Sequence, residues 1–383
     1  MAARAGRRCA PTGPLRRVVE RRTRLPLLAL REELAEEREG TTRGITSAKL
    51  KRIDGCNLRC FMCDYWRGRR EAELTTQEVC RILSELAALG CQKVHFTGGE
   101  IMLRRDAVVL FAHAAELGMR VNLTTNGTVL DKARARAMLE LPVRRITLSL
   151  DSPVRKIHDR VRGREGAYKK TLRSLDYLLR HRGKKTKLAL NVVVSRATFA
   201  SLIELPELLA RFPVDDVLLI PMDDKPANQR PGVVARLPLV EPPSAAMTAD
   251  EIRRYGQEVA PVLTRGISLP HFDPFVFGPV GEERHSAVGR HARGYYEEHR
   301  CHVPWHHVLI GATGDVYPCC MAHRSTEPLG NVREESLTRI WQGTKYAAFR
   351  RRMLEQRMAV CQRCDDFLAD NRALNAQLVE VSP

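Results

Sequence analysis

The chain has 383 residues, a formal net charge of +18 and 44% hydrophobic residues. That length exceeds what one compact core usually serves, so a main domain with a smaller appended one is expected. No apolar run approaches the roughly 18 residues needed to cross a bilayer, which argues against a membrane partner. The basic excess invites a nucleic-acid reading. Only 5% of residues are aromatic, however, which is thin for base-stacking platforms, and much of the arginine lies in the first 44 residues or along helix faces. A solvated basic surface is therefore preferred to an RNA-binding or scaffold role.

Residues 1–44 form a basic N-terminal extension carrying Arg7, Arg8, Arg16, Arg17, Arg21 and Arg22. The acidic run Glu32, Glu33, Glu36 and Glu37 argues against a transit peptide, and no apolar segment precedes a signal-type cleavage site. The expected location is therefore cytoplasmic, with the eleven cysteines reduced.

From residue 45 to 221, short apolar runs alternate with longer helical patterns. Candidate strands fall at 50–53, 93–97, 120–125, 145–150, 188–194 and 216–221. Thr75 and Glu78 have capping-box spacing ahead of a stripe of Val79, Ile82, Leu83, Leu86 and Leu89, which Gly90 ends. Asp106 opens a second helix that Gly118 stops. Repeated strand–helix units with right-handed crossovers predict an α/β fold, a partial (β/α)6 TIM-like barrel around a parallel sheet. Residues 222–300 read as an irregular linker or insertion, with Pro226, Pro231, Pro238, Pro242 and Pro243 close together and a helix over 250–264. Residues 301–383 hold the second group of cysteines and form a small cysteine-rich domain.

Cys56, Cys60 and Cys63 make a CxxxCxxC loop after the first strand, at the sheet end where such folds place active sites. Soft thiolates at this spacing suit zinc or an iron–sulfur cluster. Structural zinc wants a fourth protein ligand, and the loop offers none. Three thiolates around a four-iron cube leave one iron open to a small molecule. Here the chain resembles the radical S-adenosylmethionine (SAM) superfamily, in which SAM occupies the open iron of a 4Fe-4S cluster. Further matches follow in order at successive strand ends. They are Gly98, Gly99 and Glu100 in GGE, Asn126 in TTNG, Ser149 and Asp151 in SLDS, and Asn191 on the fifth strand. The resemblance implies that these residues, with Met62 beside the third cysteine and Arg162, contact SAM. Glu100 is expected to receive the SAM amino group. Structural readings stand beside these: Asn126–Gly127 as a turn, Asp151 as a helix cap, Arg162 as a surface arginine.

Cys301, Cys319, Cys361 and Cys364 form the second set, with a hairpin expected around Thr313–Gly314–Asp315. Zinc suits the spacing. The pattern also resembles the SPASM domain and its shortened twitch form, which implies one auxiliary 4Fe-4S cluster. Cys80 and Cys91 read as core residues, and Cys9 lies in the tail. Cys320, the spare thiol beside Cys319, is a candidate hydrogen donor or a packing residue.

The resemblance implies reductive cleavage of SAM to a 5′-deoxyadenosyl radical that takes hydrogen from a substrate. A small-molecule substrate is preferred, through oxidation or epimerisation of a sugar or cyclitol in natural-product biosynthesis, with a dehydrogenase favoured over an epimerase. The alternative is a peptide-modifying SPASM maturase. An external low-potential electron donor such as flavodoxin or ferredoxin is implied as a partner. From a different class, an RNA-binding or structural zinc protein is the competing reading.

Overall fold

The structure, a computed structural model, describes residues 42, 44–51, 53–63, 65–67, 73–222, 246–278, 281, 283–323 and 325–379. Residues 1–41 and 43 of the basic extension and the proline-rich stretch from Pro226 to Pro243 lie outside the described residues.

Strand β1 (Ser47–Lys51) leads through the cysteine loop to helix α1 (Thr76–Ala88). The expected capping box forms in both directions: Glu78 N–H donates to Thr75 Oγ1 at 3.2 Å and Thr75 N–H to Glu78 Oε2 at 2.7 Å. The pattern then repeats through β2 (Lys93–Thr97), α2 (Ala107–Glu116), β3 (Arg120–Thr125), α3 (Lys132–Glu140) and β4 (Val143–Ser149). It continues with α4 (Arg155–Val161), α5 (Ala167–His181), β5 (Lys187–Val194), α6 (Leu205–Arg211) and β6 (Asp216–Pro221).

The expected helix over 250–264 is present with an interruption. α7 (Ala249–Arg254) passes through a π turn at Tyr255–Val259 into α8 (Ala260–Gly266). Pro261, in the first turn of α8, has no N–H to donate, which fits the break in the regular ladder. Two short helices, α9 (Glu283–Ala287) and α10 (Tyr295–Glu298), lead to β7 (His307–Ile310), β8 (Asp315–Tyr317) and β9 (Gly330–Asn331). The chain ends in α11 (Leu337–Gln342), α12 (Thr344–Glu355) and α13 (Leu368–Val379).

All nine strands form one sheet in the order β6-β5-β4-β3-β2-β1-β7-β8-β9. The six expected barrel strands pair in parallel, and the sheet is not closed. A seventh parallel strand joins them, because β7 pairs with β1 from Ser47↔His307 to Leu50↔Ile310. Sequence reading took this segment only as one arm of the 313–315 hairpin. It is that, pairing antiparallel with β8, and it is also the bridge by which the cysteine-rich segment continues the barrel's sheet.

One face of the sheet packs under the helices. Ala48, Leu50, Val94, Phe96, Val121, Leu123, Ile146 and Leu148 share a core with Val79, Ile82 and Leu83 of α1. The other face carries Lys49, Lys51, His95, Thr97, Asn122, Thr124, Arg145, Ser149 and Asn191, all partly buried. The registers Lys49↔His95, His95↔Asn122 and Asn122↔Arg145 set these polar residues in rows across the strands. A closed barrel of this kind fills its interior with branched apolar residues, whereas this wall carries polar and charged ones. Among the described residues no helix is long and apolar enough to cross a membrane.

Candidate functional site

The loop after β1 is held by backbone contacts that need glycine. Gly99 N–H donates to Ile53 O at 2.8 Å and Glu100 N–H to Gly55 O at 3.0 Å, so the GGE segment lies directly on the start of the cysteine loop. A Cβ on Gly99 would stand 2.0 Å from Gly55 O. On the far side of the loop, Arg59 N–H donates to Arg162 O at 3.1 Å and Phe61 N–H to Val161 O at 3.2 Å. A Cβ on Gly163, at φ +63°, would stand 2.2 Å from Arg59 O. Gly98 and Gly99 are thus required by the approach of chain to chain before any ligand is considered.

Within that cradle, Leu58, Cys60 and Ala167 are buried together, with Cys56, Met62 and Cys63 packed against them. Burial pushes the Cys56 thiol up to about 11 and also raises Cys60, with Arg162 opposing the latter. Binding a soft metal requires these thiols to give up their protons. Asn126 Nδ2 lies 3.8 Å from Cys56 Sγ and donates to Asn57 Oδ1 at 3.0 Å. Asn126 Oδ1 accepts from Thr128 N–H at 2.9 Å, so the turn expected at TTNG also reaches the loop.

Glu100 is fully buried, and its carboxylate accepts from Met102 N–H at 2.9 Å, Thr125 Oγ1 at 2.7 Å and Asn126 N–H at 2.6 Å. The side chain therefore ties the end of β2 to the end of β3. Asp151 is also fully buried: Arg162 Nη2 donates to its Oδ1 at 2.7 Å, and Nε stands 2.7 Å from Oδ2. Neither the helix-cap reading of Asp151 nor the surface reading of Arg162 survives this geometry. Arg162 Nη1 continues to Cys60 Sγ at 3.8 Å. Burial works against the cation, yet Asp151 and Cys60 more than offset it and hold Arg162 above its ordinary value. Ser149 and Asn191 are register partners on β4 and β5, both half-buried.

His158 was missed by sequence reading. It is 1% exposed, accepts Asp151 N–H on Nδ1 at 3.2 Å and stacks edge-on to Tyr168. Burial, then the neighbouring Arg162, depress it to about 3. A histidine in a helix carries no local signal for such a contact.

The second thiol set comes from separate segments. Cys301 precedes the turn into β7, Cys319 follows β8, and Cys361 and Cys364 lie on the 3₁₀ turn around Ala359–Arg363. Burial pushes Cys319 up to about 12, with Cys301 and Cys361 adding to the effect, and raises Cys301, Cys361 and Cys364 as well. Among the described residues no three Cys, His, Asp or Glu side chains converge closely enough to hold a single metal ion.

Cys320 is not simple packing. Its thiol lies 2.7 Å from Asp366 Oδ2, and the same oxygen takes Lys49 Nζ of β1 at 2.6 Å. Phe367 lies under the Lys49 ammonium at 5.9 Å and against His307 at 4.9 Å between ring centroids. The CxxC loop is in this way joined to the polar wall of the barrel. Lys49 and Asp366 escaped sequence reading because they stand far apart in the chain and belong to no motif. Cys91 is buried and Cys80 half-buried, as expected of core residues, while Cys9 lies outside the described residues.

Comparison with known proteins follows this geometry. Residues 50–207 match the model of the radical SAM superfamily, and residues 301–365 match an iron–sulfur cluster-binding domain, SPASM. The chain belongs to the radical SAM superfamily and carries a C-terminal SPASM domain. Its radical SAM domain implies SAM and a 4Fe-4S cluster, and its SPASM domain implies auxiliary iron–sulfur binding.

Among curated relatives, a PqqA peptide cyclase of Rhodopseudomonas palustris is 32% identical over 206 residues, 53% of this chain and 54% of that one. An Fe-coproporphyrin III synthase of Methanosarcina barkeri is 37% identical over 123 residues, 31% of this chain and 30% of the other. The chain therefore spans between about a third and about half the length of these relatives. Among solved structures, Streptococcus suis SuiB superposes with a TM-score of 0.61 at 17% identity, covering 88% of this chain and 76% of SuiB. The enzyme anSMEcpe with bound AdoMet gives 0.58 at 17% identity, covering 84% and 87%. These likenesses establish a shared fold.

Proposed function

We propose that this radical SAM enzyme oxidises a side chain of a peptide substrate held against the polar wall of the barrel. The auxiliary side of the site is placed at that wall by Asp366, two residues after Cys364, which takes Lys49 at 2.6 Å. When bound, the core cluster and SAM supply a radical that takes a hydrogen atom from the substrate, and the auxiliary iron–sulfur group supplies an electron acceptor.

The chain's own residues hold and shape this site. Cys56, Cys60 and Cys63 would hold the core cluster, and Cys301, Cys319, Cys361 and Cys364 the auxiliary one. Arg162, fixed by Asp151, presents its guanidinium beside Cys60, where a carboxylate of SAM finds a charge-assisted partner. Asn126 stands beside Cys56, Met62 packs against the thiols, and Ser149 and Asn191 offer polar groups from neighbouring strands. The side chain of Glu100 acts as a positioning group, spending its carboxylate on the loops that carry Met102, Thr125 and Asn126. An external low-potential donor of the flavodoxin or ferredoxin kind delivers the initiating electron.

A peptide substrate is favoured over the sugar or cyclitol expected from sequence because the relatives named above include a PqqA peptide cyclase. Oxidation is favoured over epimerisation because the Cys320 S–H is engaged by Asp366, which is itself paired with Lys49. The test is anaerobic reconstitution with SAM and dithionite, offering short peptides with aliphatic and aromatic side chains against sugars and cyclitols. Peptides are expected to raise 5′-deoxyadenosine above the substrate-free rate and to lose two hydrogen atoms by mass. A response to sugars or cyclitols alone would overturn the peptide reading, and solvent deuterium at the reacting carbon would overturn oxidation.

A further inference from the structure

The auxiliary thiols are served mainly by backbone N–H groups. Ala322 N–H approaches Cys319 Sγ at 3.4 Å, and the amides of Val303 and Phe367 serve Cys301 and Cys364. Cys364 differs in having a side-chain donor as well. Tyr296 of α10, 1% exposed, places its phenol oxygen 3.9 Å from Cys364 Sγ.

The direction of that contact is fixed by its neighbour. Asn371 is 2% exposed. Its Oδ1 accepts the backbone N–H of His302 at 2.8 Å, and its Nδ2 donates to the backbone carbonyl of Phe367 at 2.8 Å. Two backbone groups therefore decide which end of the amide is oxygen and which is nitrogen. The same Nδ2 reaches Tyr296 Oη at 3.1 Å, so the phenol accepts there. A phenol has one proton, and with Asn371 donating to its oxygen that proton is free to point at Cys364 Sγ. The result is a one-way chain from His302 N–H through Asn371 and Tyr296 to the sulfur, in which each bond polarises the next.

We infer that Tyr296 is a potential-setting residue of the auxiliary cluster, and that Asn371 acts through it. This rests on the reading that Cys364 is a cluster ligand. Hydrogen bonds to ligand sulfurs stabilise the electron-rich reduced state and raise the reduction potential. The auxiliary centre is on this account a better electron acceptor than its four thiolates alone would make it.

The experiment is EPR-monitored titration of the anaerobic, reconstituted full chain, with dithionite supplying the one electron each cluster takes up. Iron content and thermal midpoint are read in parallel. Tyr296→Phe should keep its iron and midpoint while the auxiliary potential moves to a more negative value. The core cluster's potential should not move. A ring-fluorinated tyrosine at position 296, a stronger donor of nearly the same shape, should move the auxiliary potential the opposite way. An unchanged auxiliary potential in both variants at full iron content overturns the inference. Should Tyr296→Phe lose its iron, the fluorinated residue decides alone: a positive shift upholds the inference and no shift overturns it. Cys364→Ala separates the two layers of the claim. Loss of auxiliary iron there upholds the ligand reading, and unchanged iron overturns that reading and the inference with it.

Discussion

The two thiol sites are built by opposite strategies. The first puts Cys56, Cys60 and Cys63 on one short loop and clamps that loop between the GGE segment and the end of α4 by backbone hydrogen bonds. Its immediate neighbours are polar and charged: Asn126 beside Cys56, and Arg162 with Asp151 beside Cys60. The second gathers four cysteines from three segments, and Tyr296, Trp305, Phe349 and Phe367 pack in one cluster with Cys301, Cys361 and Cys364. A charged, locally built site suits exchange of a small polar ligand, whereas an aromatic enclosure suits a centre that only stores an electron, since burial and polarity both set cluster potentials. The proposed division of labour rests on this difference in surroundings.

The sharpest way to break this comparison is to remove one site and keep the other. Replacing Cys56, Cys60 and Cys63 by alanine should abolish 5′-deoxyadenosine formation and remove one cluster's share of iron, leaving the auxiliary share intact. Loss of all iron would show that the sites assemble as one unit.

A second effect is electrostatic and belongs to the first site alone. Arg162→Met leaves Asp151 buried without its counter-charge, which costs about 3–5 kcal/mol. Denaturant titration should show that loss, and Arg162→Met combined with Asp151→Asn should recover most of it. Equal losses in the single and double variants would mean that the pair matters only for shape. Gly163→Ala comes next. Its Cβ would meet Arg59 O at 2.2 Å on a left-handed backbone, a strain of about 1–3 kcal/mol. It should lower SAM affinity in equilibrium binding while the auxiliary EPR signal is unchanged.

The first site was legible in sequence because its parts are local. Three of six barrel strands appear with the expected ends, at 93–97, 120–125 and 216–221, and the motifs fall at successive strand ends. Sequence could not reveal that β7 pairs with β1, since Ser47 and His307 are 260 residues apart and nothing in HVLI names its partner. For the same reason Lys49, Asp366, Tyr296 and Asn371 were invisible: each contributes a single polar atom to a contact fixed by tertiary placement. For Glu100 the motif pointed to the SAM amino group and gave no sign of its contacts within the protein. Its carboxylate accepts from Met102, Thr125 and Asn126, contacts between strand ends that a three-residue motif does not encode.

The smallest effect concerns acid, and it distinguishes the regions by their buried histidines. His158 is held near 3 by burial and Arg162, against an unfolded value near 6.5. Below 6.5 the unfolded chain binds a proton that the folded chain refuses, so stability is fully present above that pH and falls as pH drops toward 3. One such histidine removes about 1 kcal/mol between pH 6.5 and 5.5. His95 and His307, on the polar wall, and His291 behave alike, depressed by burial to about 3, 3 and 4. The wild type should therefore show an acid slope to which all four contribute. His158→Asn should remove about a quarter of it, since its Oδ1 takes the place of Nδ1 in accepting Asp151 N–H and carries no titrating proton. If that slope is unchanged in the variant, a proton is being accommodated at His158 in the folded state. The polarity assigned to the Asp151–Arg162 side of the first site would then be wrong.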